Sequence, residues 1–192
     1  MKISVAIVAL MFALVAGASA SSASLQRTPQ SLYSALLTKP FPDSQLPSGF
    51  SSARVTMLTP SSGARRYHPV GEVAVAVDGP DPDDGFSYGI FTKHSDALSE
   101  LNHPTFSSSE KLRIVPGGVP GFPKLPGHMW TGSVTGKNVL GKTITNGLTI
   151  VAVVQGNVIV DAFTGSADNM ESGNVPAAIA LLRSALKHLA KV

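Results

Sequence analysis

Between Leu148 and Thr164 the chain reads LTIVAVVQGNVIVDAFT, two apolar runs interrupted only by Gln155, Gly156 and Asn157. Val- and Ile-rich runs flanking a Gly-Asn turn signal predict a β-hairpin. With Gly156 and Asn157 at the turn, Val154 faces Ile159, Ala152 faces Asp161 and Ile150 faces Phe163 on one side. Val153 with Val160, Val151 with Ala162 and Thr149 with Thr164 take the other side. Both sides are mostly apolar, so both should be covered, by helices or by a helix and a long connection. Asp161 breaks this pattern. Either it reaches solvent or a backbone donor near a strand end, or it is a carboxylate in a partly buried pocket, where desolvation would raise its pKa.

The same reading extends along the chain. Thr28 as cap, Pro29 in the first turn and apolar residues four apart (Leu32 with Leu36, Tyr33 with Leu37) predict a helix from Pro29 to about Thr38, ended by Pro40. Ala53 to Thr59 is a modest strand. Val70 to Asp78 alternates cleanly, with Val73, Val75 and Val77 on one face and Glu72, Ala74 and Ala76 on the other. Phe86 to Lys93 is a further strand, its row Phe86, Tyr88, Ile90 alternating with Ser87, Gly89, Phe91. A short helix over Asp96 to Leu101, capped by Ser95, should follow. Lys111 to Val115 and Met129 to Val134 are strand candidates, and Asn138 to Asn146 is turn-rich. After the hairpin, Asn174 caps a last helix with Pro176 in its first turn and a stripe of Ala178, Leu181, Leu182, Ala185 and Leu189. Its basic residues fall toward the C-terminal end, which suits the helix dipole. Helix, three strands, helix, about four strands and helix is not a βαβ alternation. The expected fold is α+β: a largely antiparallel sheet of about five to seven strands with helices packed on it.

The first twenty residues predict a different fate. Lys2, the apolar run Ile3 to Val15 and the small-residue stretch ending in Ala18-Ser19-Ala20 read as a signal peptide, with cleavage expected after Ala20 or, as the alternative, after Ala23. The expected organisation is therefore 1–20 signal peptide, 21–27 flexible lead-in and 28–192 a single α+β domain. The protein should be exported, whether secreted, periplasmic or wall-associated, with no stable membrane insertion once the leader is gone. The chain has no Cys, so lipid anchoring at a cleavage-site Cys, a disulfide framework and thiol catalysis are all closed to it. Its core must hold the fold unaided, and the length suffices for that.

Charge narrows the functional classes. Lys and Arg number 15 against 12 Asp and Glu, a net +3 with no basic stripe and only Arg65-Arg66 adjacent. Nucleic-acid binding wants a concentrated basic footprint, and none is present. The acidic run Asp78, Asp81, Asp83, Asp84 either lies solvated in a turn or holds a cation such as calcium, but it lacks EF-hand spacing. It is a weak metal candidate, and no metal is expected. No two of His68, His94, His103, His128 and His188 have local zinc spacing. No cofactor is expected either, since neither GxxxxGK[ST] nor GxGxxG occurs around Gly117, Gly118 and Gly121. Ser133 stands one residue too early in GSVTG for a nucleophile elbow. Glu72 and Asp161 are the only strand-borne carboxylates that could act as a pair, and neither shows a partner in sequence.

Two surfaces remain. Asp161, Tyr88 and Trp130 are the candidate ligand-pocket residues. Pro120, Pro123 and Pro126, three apart, suggest a polyproline-like loop that either presents Phe122 and Leu125 to a partner or packs them back on the domain. The expectation is an exported, non-catalytic domain that binds an unidentified protein or small molecule. The alternatives are a small hydrolase with residues from separate loops, and a carrier of small apolar ligands. A deep cavity with converging titratable groups would discriminate between them.

Overall fold

The computed structural model describes residues 27–58, 67, 69–80, 84–137, 142–166 and 173–192. It contains helix α1 (Pro29–Thr38), a 3₁₀ turn (Asp43–Gln45), strands β1 (Ser51–Leu58), β2 (Pro69–Asp78) and β3 (Gly85–Phe91), and helix α2 (His94–Asn102). Strands β4 (Glu110–Val115), β5 (Gly127–Lys137), β6 (Thr143–Gln155) and β7 (Val158–Ser166) follow, then helix α3 (Val175–Leu189). The fold is α+β, a seven-stranded antiparallel sheet with three packed helices.

The strand order is β1-β2-β3-β7-β6-β5-β4. It consists of two meanders, β1-β2-β3 and β4-β5-β6-β7, joined where β3 pairs with β7. The β6–β7 hairpin has the register expected of it: Gln155 pairs with Val158, Val154 with Ile159, Ala152 with Asp161 and Ile150 with Phe163. Gly156 carries φ +63°, and positive φ at the first turn residue alone is the pattern of a type II′ turn. The turn is tied to the first meander. The Asn157 side chain donates to the Phe91 carbonyl, the Phe91 N–H donates to the Asn157 carbonyl, and His94 Nδ1 bonds the Gly156 carbonyl.

Alternation then sends residues to two distinct faces. The first face packs under α1 and α3, and its core includes Val73, Val75, Phe86, Tyr88, Ile90, Val151, Val153, Val158 and Val160 from the strands, with Leu36, Leu181, Leu182 and Ala185 from the helices. Thr28 Oγ1 accepts from the Ser31 N–H and starts α1, and Asn174 Oδ1 accepts from the Ala177 N–H and starts α3, both as the sequence predicts. Two buried threonines seat α3 on the sheet: Thr149 donates to the Gly173 carbonyl and Thr164 to the Asn174 carbonyl. Gly173 crosses so closely that a Cβ there would lie 2.0 Å from the Thr164 carbonyl oxygen.

The second face carries a smaller cluster: Phe91, Trp130, Ala152, Val154 and Ile159 from the strands, under Ala97 and Leu101 of α2. Here α2 and the 103–109 connection form a partial cover.

Two expectations need correction. Helix α2 starts earlier than expected, with Lys93 rather than Ser95 at its cap and no side-chain hydrogen bond there. The turn-rich reading of 138–146 gives way from Thr143 onward to strand, because β5 and β6 pair as far as Lys137 with Thr143. Phe122 and Leu125, which the Pro-rich loop could either present outward or pack back, are partly buried against the α3-side core, and Arg183 lies over the Phe122 ring at 5.9 Å.

Candidate functional site

The incomplete cover of the second face leaves a cavity of about 350 Å³ at the seam between the two meanders. Its floor is sheet: Glu72 and Ala74 of β2, Ser87, Gly89 and Phe91 of β3, Ile159, Asp161 and Phe163 of β7, and Ile150 and Ala152 of β6. Trp130 of β5, Glu100 and Leu101 of α2, and Pro104, Thr105 and Phe106 of the following connection form its walls. Phe106 meets Trp130 edge-on, with centroids 5.6 Å apart. Behind that corner His128 packs against Trp130 at 5.6 Å and bonds Asn102 Oδ1 through Nε2 at 3.0 Å.

The register explains the polar part of the floor. Ser87 pairs with Asp161 across the seam, and Glu72 is diagonal to Ser87 because Ala74 holds the directly opposite position. All three side chains share the cavity face. Ser87 Oγ lies 2.9 Å from Asp161 Oδ2 and 3.3 Å from Glu72 Oε1. A buried hydroxyl thus joins two carboxyl groups from opposite halves of the chain.

Electrostatics follow from this placement. Burial is the main cause that pushes the Asp161 carboxyl up to about 7; the nearby Glu72 charge adds to the rise and hydrogen bonding with Ser87 opposes it. Burial also raises Glu72, again opposed by Ser87. The second alternative for Asp161, a carboxylate in a partly buried pocket, is the one whose geometry is present.

Of the three candidate pocket residues, Asp161 and Trp130 line the same cavity and Tyr88 does not. Tyr88 is next to Ser87 in the chain and therefore points to the opposite face, where its hydroxyl donates to the Ala185 carbonyl at 3.0 Å. Burial drives its pKa upward, so it is a structural phenol. In the acidic run, exposed Asp78 pairs with Arg54 at 2.8 Å, Asp84 is buried, and Asp81 and Asp83 lie outside the described residues. Among the described residues no group of three or more His, Asp or Glu is arranged to hold a metal ion. Ser133 sits on β5 opposite Gly147, away from the cavity. Among the described residues no helix is long and apolar enough to cross a membrane.

Sequence reasoning missed Ser87, Glu100 and Phe106, and saw Glu72 without its partner. The available signal was parity: Glu72, Ser87 and Asp161 each lie on the less apolar row of their own strand. No known family model matches the chain, and no curated protein is detectably similar to it.

Proposed function

We propose that this protein is a binding domain for a small, largely apolar molecule, held in the cavity between the sheet and α2. The observation that carries the reading is the composition of that cavity. Aromatic and aliphatic walls surround one compact polar group, Glu72–Ser87–Asp161, the usual division of labour in ligand pockets. Its volume of about 350 Å³ suits a molecule of one or two rings, at the lower end of the roughly 300–1,000 Å³ common for such sites. Trp130, the sole tryptophan, stands in the wall and reports occupancy directly.

The test is titration of the protein with ethylbenzene, followed by Trp130 fluorescence. Saturable binding is expected, and it should vanish in Gly89→Leu, which fills the floor between Phe91 and Ile159. An unresponsive wild type, or equal binding by the filled variant, would overturn the reading.

One observation favours a second reading, acid–base catalysis on the bound molecule. A carboxyl raised to about 7 beside another carboxyl is poised to exchange protons at neutral pH. Recovery of a chemically altered ligand from wild type but not from Asp161→Asn would decide for it.

Export belongs to the same proposal and is supported by the leader sequence alone. N-terminal sequencing of protein recovered outside the expressing cytoplasm should begin at Ser21, or at Ser24 if cleavage follows Ala23. A retained Met1 would remove export from the proposal.

A further inference from the structure

We propose that the cavity selects an organic cation, an amine carrying an aromatic or alkyl body, whose ammonium displaces a proton shared by Asp161, Ser87 and Glu72. This inference rests on the small-molecule reading above and specifies its ligand.

Charge gives the first reason. Among the described residues, the ionisable side chains lining the cavity are Glu72, Glu100 and Asp161, one from each of β2, α2 and β7, with no Lys, Arg or His beside them. In a space of low dielectric, three acids and no base repel a carboxylate or phosphate and attract a cation. His128 sits behind Trp130 with its Nε2 engaged by Asn102.

Hydrogen bonding gives the second. Ser87 has one hydroxyl proton and two carboxyl oxygens within reach, at 2.9 and 3.3 Å. One O–H can serve only one of them well. The trio is fully satisfied when Asp161 is protonated and donates to Ser87 Oγ while Ser87 donates to Glu72. An ammonium brings up to three donors and supplies both carboxylates without that proton. The amine enters protonated, the Asp161 proton leaves to solvent, and no covalent bond changes.

The walls give the third. Phe91, Phe106, Trp130 and Phe163 line the cavity around the carboxyl pair. Aromatic faces stabilise a desolvated cation as well as its apolar body.

Three probes that share a phenylethyl body separate the claims: phenethylamine, ethylbenzene and 3-phenylpropanoate, each titrated against Trp130 fluorescence from pH 5.5 to 8. Phenethylamine should bind at least tenfold more tightly than ethylbenzene at pH 7.5, and 3-phenylpropanoate least. Its affinity should rise by up to tenfold per pH unit below about 7 and level off above, as one proton is released. Calorimetry in buffers of different ionisation enthalpy should count that proton at pH 6. The Glu72→Gln/Asp161→Asn double variant should lose the amine preference and keep ethylbenzene binding; Ser87→Ala should weaken the preference, and His128→Gln should leave the pH profile in place. Equal, pH-independent binding of amine and ethylbenzene would overturn the cation inference while the pocket reading stands. A preference that survives the double variant would overturn it too. Silence with all three probes would remove the pocket reading and this inference with it.

Discussion

Ser87 and Tyr88 are neighbours in the chain and opposites in the fold. Tyr88 is sealed beneath α3 with its one polar atom satisfied by a backbone carbonyl. Ser87 is equally buried, yet it faces a cavity and sits between two acids. The same strand therefore supports a closed core on one side and an open site on the other. The cause is the cover. Two helices with complementary stripes close the first face, whereas nine-residue α2 and a loop span the seam on the second. Burial alone does not mark a site here; a polar row left beneath an incomplete cover does.

The largest expected effect breaks the comparison outright. Val153→Asp places an unpaired charge on the closed face, where the side chain is wholly inaccessible, and Ile150→Asp places one on the cavity face, where the side chain is partly exposed. Val153→Asp should abolish cooperative folding, since a buried unpaired charge removes roughly 5 kcal/mol or more from a domain with only about 5–15 to lose. Ile150→Asp should remain folded by circular dichroism and melt cooperatively. If both fold, the closed face is not closed.

A subtler pair grades the packing. Leu181 of α3 and Leu101 of α2 are both buried, but Leu101 borders a space that is already open. Leu181→Ala should cost about 4 kcal/mol in urea denaturation and Leu101→Ala about 2, because truncation beside an existing void forfeits fewer contacts. Equal losses would mean that the cavity collapses in solution.

How legible this was depends on the range of the interactions. The β6–β7 register was readable because both strands flank a two-residue turn, so the local pattern fixed every facing pair. The Val73, Val75, Val77 row was readable for the same reason, since alternation needs no partner. The Glu72–Ser87–Asp161 contact was not. It depends on β3 pairing with β7 across the join of two meanders, and nothing local to residues 72, 87 or 161 specifies that pairing. Tyr88 was placed beside Asp161 in expectation because the phase of β3 relative to β7 was unknown. Once Ser87 pairs with Asp161, parity sends Tyr88 away. Ser95 misled for another reason: a good cap residue does not cap when the chain enters the helix two residues sooner, at His94.

The next effect tests the electrostatics of the open face. Asp161 has a folded pKa raised from 3.8 to about 7, so the folded state holds its proton more tightly than the unfolded chain. The resulting stabilisation is whole below about pH 4 and is lost as pH rises through 7. Glu72, also raised, acts in the same direction. Unfolding free energy should therefore decline between pH 4 and pH 7.5, with about 2 kcal/mol of that decline due to Asp161, roughly half the full linkage value because the cavity admits solvent. Asp161→Asn should be nearly flat by comparison and more stable than wild type at pH 7.5. A wild type that gains stability across this range would show Asp161 ionised in an ordinary way.

The smallest effect concerns how the two covers are fastened. Helices α1 and α3, which close the first face, each begin with a side-chain cap and a proline in the first turn. Helix α2, which half-covers the second, begins at Lys93 with neither. Asn174→Ala should therefore cost about 1 kcal/mol, and Ser95→Ala should fall within about 0.5 kcal/mol of wild type in the same denaturation experiment. Because the cap residue of α2, Lys93, makes no side-chain hydrogen bond, hydrogen exchange should be faster in that first turn than in the first turn of α3. If a ligand fills the cavity, its contacts reach Glu100 and Leu101 at the other end of α2, and they should slow exchange along α2 more than along α3. Slowing confined to α3 would place the binding site on the closed face and invert the comparison.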